Sequence, residues 1–530
     1  MSTEASVQQR PARLPYDDSP TVEPRAAARQ ESLIKRFMWT STLFLVIAGL
    51  LGLVLRQSQA NIHRIDDNLW YALMTAHGLG AFVAWAGFFL MGSLYWILLR
   101  LGYPLRTYIF AEISYWTMVI GTLGIVWTTL VSGFGASWVA LYPLPFKSAG
   151  KWSDTTTGIF SFAVLLAGVS IIVWCVSLIV AVTGPAAESA SNNFFYKVAL
   201  GLGFDHMWPN TFKRTGGRKT PYPLIPLTVV AINMAIMTLP FAVLLVLMIL
   251  QSINSGITTD PLLAKNLLWA FGHPVVYLLL FPVVSCLYYF IPRYAGRNMA
   301  AGRIIVLAWI VALTTNMFLW AHHMYLDSPD GSIQNTLNLI HEPITFAIVL
   351  ASSLSLYALS VTIFRSNFLW NAGSKFMIAG MVGWLTAGFQ GVLNADIQFD
   401  NVLHNTLWIV GHFHHMALLG MGMVIMGVMY AVLPHLYHKP VYSEALADVH
   451  LWGMLVGGYG WMICWLIPGL EGAPRRWAIL PHSYDFWTQL SIPFLIVMVL
   501  GILVGLYNYW KTVTGSPWAA ATGGKEPAAV

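Results

Sequence analysis

Charge is what this chain has least of. Only 9% of its 530 residues are Asp, Glu, Lys or Arg, against roughly a quarter in a soluble domain. Cysteine is equally scarce. Cys175, Cys286 and Cys464 all lie in apolar runs, and none sits in a Cys-x-x-Cys pair. A disulfide framework and a thiolate metal centre are both excluded on that ground. What fills the chain instead is apolar: 57% hydrophobic residues, with 23 Trp. This is the composition of a membrane protein with aromatic belts.

Apolar runs of about 20 residues cross a hydrocarbon core of about 30 Å. Twelve such runs are present, at residues 35–57, 70–99, 107–132, 157–183, 222–251, 263–294, 302–324, 340–364, 373–393, 403–434, 449–470 and 485–511. The predicted fold is therefore all-α, a polytopic bundle of about twelve transmembrane helices covering residues 33–512. Residues 1–32 are polar and rich in Pro, Arg and Ala, which predicts a disordered cytoplasmic tail rather than a cleaved signal peptide. Residues 513–530 form a second cytoplasmic tail.

With the N-terminus inside, only seven of the 28 Lys and Arg fall in outer loops: Arg56, Arg64, Lys147, Lys151, Lys265, Arg475 and Arg476. That bias follows the positive-inside rule and supports an even number of spans with both termini cytoplasmic. It also accounts for the formal charge of +6 without a nucleic-acid partner.

Ionisable groups inside a bilayer are costly and mark function. His77 lies in the second span, His273 in the sixth, His322 and His323 near the end of the seventh, and His412 and His414 in the tenth. In the second, sixth and tenth spans, which all run inward, these residues follow the span start by roughly 7–10 positions, a depth of about 10–15 Å. The seventh span runs outward, so His322 reaches the same outer-half layer. Spacing then separates partners. Residues i and i+2 are about 200° apart on a helix, so His412 and His414 face different cofactors across Phe413. His322 and His323 are about 100° apart and can meet one metal only near a distorted helix end. His273 and Tyr277 share a face, and Pro274 opens the turn between them. His415 faces a third direction and reads as structural. His63, His206, His435, His438, His450 and His482 read as solvated or interfacial, and His341, at the outer start of the eighth span, fits either class.

Gly272-His273-Pro274-Val275-Val276-Tyr277, His322-His323, His404-Asn405-Thr406 and Gly411-His412-Phe413-His414 together resemble the catalytic subunit I of the haem–copper oxidase superfamily, over about residues 35–511. The resemblance implies a low-spin haem of b or a type between His77 and His414. It implies a high-spin haem of a type on His412, and one copper ion (CuB) on His273, His322 and His323, with dioxygen reduced to water between iron and copper. It implies that Tyr277 is catalytic and joined to His273, and that Arg475, Arg476, Asp400 and His404 serve the haem propionates.

Departures from the A-type pattern point to the B-type branch. Val275 replaces a glutamate, the eighth span has no lysine, and Asn405 stands where an aspartate is usual. A single proton path through Tyr277, Tyr288, Ser352 and Ser355 is expected. Tyr277 and Tyr288 are 11 residues apart, so they share a helix face and span about 16 Å. The chain has no Cys-x-x-x-Cys motif for a dinuclear copper (CuA) centre. A subunit II carrying that centre is implied, with cytochrome c or a small copper protein as donor and the inner membrane of a bacterium or archaeon as location; the alternative is a quinol-oxidising complex whose partner lacks that copper. Two rivals compete. A nitric-oxide reductase on the same scaffold would use Glu342 or Asp396 beside a non-haem iron. A secondary transporter with a histidine relay would contain no haem.

Overall fold

The computed structural model describes residues 22–139, 141–324 and 332–516, with side chains left undescribed over 332–338. Among them the only regular elements are helices. Twelve principal helices follow in order: α1 (Pro24–Gln59), α2 (Asp67–Arg100), α3 (Tyr108–Val131), α4 (Asp154–Val182), α5 (Leu224–Ile253), α6 (Pro261–Ala295), α7 (Gly302–Asn316), α8 (Ser332–Ile363), α9 (Ala372–Ala395), α10 (Leu407–Tyr437), α11 (Glu444–Leu470) and α12 (Asp485–Thr514).

Eleven of these are long and apolar enough to span a membrane, and α7 is the short one. Its predicted outer third does not continue as α-helix. The chain tightens into a 3-10 turn over Leu319–Met324, the distorted end that two adjacent histidines need in order to meet one metal. The N-terminal boundary also moves. The expected tail 1–32 is helical from Pro24 onward, because proline suits a first helical turn. Gln30 is buried there, and its amide joins the Tyr95 carbonyl and the Leu105 N–H. Residues 1–21 and 517–530 of the two expected tails lie outside the described residues, and α12 itself runs to Thr514.

Local sequence sets the helix ends. The Asp66 carboxylate accepts from the N–H groups of Asn68 and Leu69. Asn371 and Ser374 form a reciprocal capping box, and Thr406 caps α10. Small residues set the packing. A Cβ on Gly383 would lie 2.2 Å from the Leu419 carbonyl oxygen, and one on Gly453 would lie 2.7 Å from Gly501 Cα. The pairs α9/α10 and α11/α12 therefore approach closely, as membrane helices do without a hydrophobic drive between them.

One feature of the bundle positions the site. The apolar windows of α2, α6 and α10 are 89%, 94% and 83% buried, against 56% or less for the other nominal spans. Every fourth helix is thus a central one, and those three carry four of the six expected ligands. Their neighbours present Trp116, Trp127 and Trp452 outward, toward lipid. In α2 and α10 the backbone widens to π-helix immediately after the histidines, at Gly80–Gly87 and His415–Gly422. Such widening is rare and frequent at functional sites.

Candidate metal centre

All six histidines line one cavity of about 670 Å³, together with Tyr277, Ser352, Asp400, His404, Arg475 and Arg476. Two distinct arrangements occupy it.

The first joins α2 and α10. The imidazoles of His77 and His414 face each other with ring centroids 6.2 Å apart and planes within 11°. A metal–imidazole bond of about 2 Å, with the half-width of each ring, requires about 6 Å between centroids, so one iron fits between them. Each Nδ1 is engaged by a backbone carbonyl: His77 with Ala48 at 2.8 Å, His414 with Val410 at 2.9 Å. That fixes the tautomer and leaves both Nε2 atoms for metal. Gly52 makes room for His77, since a Cβ there would lie 2.8 Å from its Cε1. Trp461 and Trp465 close over His414, with centroids 5.4 and 4.5 Å away.

The second arrangement joins α6 to the 3-10 turn after α7. His273, His322 and His323 each offer a ligand atom, and these atoms all lie within 4.8 Å of one another. Among the described residues they form the one metal-competent group of three. Three imidazoles suit copper and leave it an open position. Their surroundings fix each ring. His322 Nδ1 lies 3.2 Å from the Thr345 hydroxyl, and His323 stacks on Trp269 at 3.8 Å and 6°. His273 turns Nδ1 toward His323 Nε2 at 3.0 Å, while its own Nε2 is buried without a partner. The Tyr277 ring lies 5.1 Å from the His273 ring, on the shared face the spacing requires.

His412 stands between the two arrangements in sequence and faces α9. A Cβ on Gly391 would lie 3.3 Å from its Cε1. His412 and His414 do point apart, as i and i+2 on a helix must.

At the rim of the cavity Asp400 and His404 pair at 3.0 Å. The Arg475 guanidinium reaches the Asn405 amide oxygen at 3.3 Å, while its Nε is buried and unpartnered. Burial and the neighbouring Arg476 bring Arg475 down to about 9, with Asp400 opposing, and burial also lowers Arg476. Two half-buried cations with spare donors beside the cavity suit the carboxylates of a haem.

Tyr288 and Ser355 lie off this cavity. The buried Tyr288 hydroxyl accepts from Trp309 Nε1 at 3.2 Å and also pairs with Ser355. Phe281 sits between Tyr277 and Trp309, with centroids 5.0 and 4.9 Å away. The contacts between Tyr288 and Tyr277 thus run through the Trp309 and Phe281 rings, while Ser352 on α8 lines the cavity.

Several expectations change. Arg56, expected in an outer loop, is a buried side chain at the end of α1, 2% exposed. Its Nε donates to Ser491 at 2.8 Å and its Nη1 to the Gln59 amide oxygen at 3.1 Å, its Nη2 is unpartnered, and it lines the cavity. Its place at the outer end of an apolar run was the available signal, but a charge at that point is equally a loop residue until the neighbouring helices are known. His450, expected at an interface, is 1% exposed and meets the Tyr430 hydroxyl at 3.1 Å, because Gly505 leaves space for its ring. Glu342 accepts from the Ile397 N–H, and Asp396 caps the short helix Ile397–Leu403. Both carboxylates are thus spent on helix ends, and neither lines the cavity.

Comparison with known proteins agrees with this geometry. A family model described as cytochrome c and quinol oxidase polypeptide I matches residues 32–504. The chain is similar to cytochrome c oxidase polypeptide 1 of Halobacterium salinarum, 25% identical over 332 residues, covering 62% of this chain and 54% of that protein. It is 28% identical over 282 residues to cytochrome c oxidase subunit 1 of Thermus thermophilus, covering 48% and 49%. With the Cereibacter sphaeroides subunit 1 it shares 24% over 448 residues, covering 80% and 72%. The chain thus spans about half the length of the first two relatives. Its fold matches a heme-copper terminal oxidase solved as a dimer by cryo-electron microscopy, with a TM-score of 0.75 at 21% identity over 94% of this chain and 85% of that one. By the extent of the family match and the shared architecture, this polytopic membrane chain belongs to the cytochrome c and quinol oxidase polypeptide I family.

Proposed function

We propose that the chain is the catalytic subunit of a terminal respiratory oxidase, reducing dioxygen to water with electrons from cytochrome c and protons taken from the inner side. The observation that carries this reading is the pairing in one cavity of two metal arrangements: parallel imidazoles 6.2 Å apart and a three-histidine cluster with donors within 4.8 Å. In this reading His77 and His414 hold a low-spin haem, His412 a high-spin haem, and His273, His322 and His323 a copper. When bound, these groups supply electron transfer and dioxygen chemistry.

The protein's own residues do the rest. The Nδ1 bonds of His77 and His414 fix which nitrogen meets iron. Trp269 and Thr345 hold the copper imidazoles at their angles. Tyr277, one turn from His273 with its ring 5.1 Å away, would supply a proton and an electron from its phenol, beside the unpartnered His273 Nε2. Protons approach from Tyr288 through Ser355 and Ser352, skirting Phe281. Arg475 and Arg476, with Asp400 and His404 behind them, neutralise the propionates.

Val275, the lysine-free α8 and Asn405 favour the B-type branch. A subunit II with a dinuclear copper centre, receiving electrons from cytochrome c or a small copper protein, completes the circuit. The complex sits in the inner membrane of a bacterium or archaeon with both termini of this chain cytoplasmic. The nitric-oxide reductase alternative loses support, because Glu342 and Asp396 are engaged as helix caps. The deciding experiment is a reduced-minus-oxidised spectrum of the purified complex with pyridine haemochrome and copper assays. Two haems and one CuB per chain, together with cyanide-sensitive oxygen uptake, are expected. Iron without copper in the cluster would overturn the assignment.

A further inference from the structure

Within four positions the chain carries three histidines, and the metal reading uses His412 and His414. The third, His415, is 4% exposed, and both its ring nitrogens are bonded to α9. Nε2 lies 2.9 Å from the Thr386 hydroxyl, and Nδ1 lies 3.0 Å from the Gln390 amide nitrogen. Thr386 uses its single proton on the Val382 carbonyl at 2.9 Å, so its oxygen accepts from His415 Nε2–H. Nδ1 is then the acceptor for the Gln390 amide, and the tautomer is fixed. Tyr459 of α11 closes a third side, edge-on at 5.2 Å.

The next residue of α9, Gly391, is the one whose absent Cβ admits His412. Consecutive residues of α9 therefore touch two imidazoles of α10 that lie i, i+3, about 60° apart around its axis. His414, about 200° from His412, leaves in the other direction toward His77. The π-helix begins at His415 itself. A π turn loosens the tie between position along the chain and angle around the axis, so α10 needs an external reference at this point.

We propose that His415 is the rotational lock of α10, a positioning residue. Through Thr386 and Gln390 it sets the angle at which His412 and His414 face their separate haems. This rests on the ligand assignment made above. A turn of 10° moves a group 5–6 Å from the helix axis by about 1 Å, twice the tolerance of roughly 0.5 Å that a preorganised site allows.

The test uses the purified complex carrying His415→Leu, Gln390→Leu, the double variant and His415→Gln. Haem and copper contents are measured beside two angle-sensitive signatures: the low-spin haem g-values and the iron–histidine stretching band of the reduced high-spin haem. His415→Leu is expected to keep both haems and the copper while both signatures shift. Gln390→Leu shifts them in the same direction, and the double variant moves no further than His415→Leu alone, because the two residues act as one unit. His415→Gln, which can still donate to Thr386, lies closer to the parent. Unchanged signatures in His415→Leu would overturn the proposal, as would additive shifts in the double variant. So would a loss of thermal stability with both signatures unmoved, which marks a packing role. If His415→Leu does not assemble, Thr386→Val and Gln390→Leu leave the imidazole in place and carry the same readouts. His412→Ala and His414→Ala separate the two ideas: if each retained both haems, the ligand assignment would fail independently of the lock.

Discussion

Gly52→Ala is the most economical probe of the proposed low-spin haem site. The substitution adds one methyl group, and helix propensity favours alanine over glycine by about 1 kcal/mol, so α1 itself is not weakened. The new Cβ would stand 2.8 Å from His77 Cε1 and 3.1 Å from its Nδ1. Carbon atoms at rest lie about 3.5–4.0 Å apart, so the imidazole must retreat by roughly 1 Å. It cannot do so freely. Its Nδ1 is held by the Ala48 carbonyl at 2.8 Å, one turn below on the same helix as Gly52, and His414 faces it across a 6.2 Å gap that already matches two metal–imidazole bonds. Overpacking of this kind costs about 1–3 kcal/mol. The expected outcome is loss or conversion of the low-spin haem in most molecules, with the haem-to-CuB ratio falling from two toward one. The copper cluster, on other helices, should be unaffected. The assay is pyridine haemochrome with copper analysis, and electron paramagnetic resonance of the low-spin signal. Two haems with parental g-values in a folded variant would refute the assignment of His77 as a ligand.

Three further outcomes follow from the same geometry. His412→Ala should remove the high-spin haem and leave the low-spin spectrum largely intact, because His414 points away from the altered site; loss of both spectra from a folded protein would contradict opposed faces. His322→Ala should lower copper to well under one per chain by metal analysis while both haems remain, and retention of stoichiometric copper would remove His322 from the ligand set. Tyr277→Phe should keep both haems and copper yet lower oxygen uptake by about 100-fold or more, the scale of a lost proton donor; near-normal turnover would exclude a redox or proton role for this phenol.

Much of the site was legible because a membrane makes polar residues conspicuous. Six histidines at one depth in apolar runs, with i+2 spacing in one pair and adjacency in another, mark a layer of candidate ligands from helix geometry alone, and all six line one cavity. Even the distorted end at His322 and His323 was demanded by that geometry before Leu319–Met324 appeared as a 3-10 turn. Arg56 and His450 were not legible, because burial at a helix end depends on what neighbouring helices leave open: Ser491 and Trp465 for one, Gly505 and Tyr430 for the other. The roles of Glu342 and Asp396 were ambiguous for the same reason, since a carboxylate near a site and a carboxylate capping a helix look alike in sequence.

Composition and periodicity by themselves determined a helical membrane bundle and singled out the histidines that are candidates to hold metal, since both follow from desolvation cost and the 100° step of a helix. Only tertiary structure decided which helices are central, that α2, α6 and α10 are the buried ones, and that the Phe281 ring packs between Tyr277 and Trp309. It also decided that the third histidine of the α10 motif is bonded at both nitrogens rather than free. Those outcomes depend on which helix packs against which, and a one-dimensional pattern fixes the faces of helices without fixing their partners.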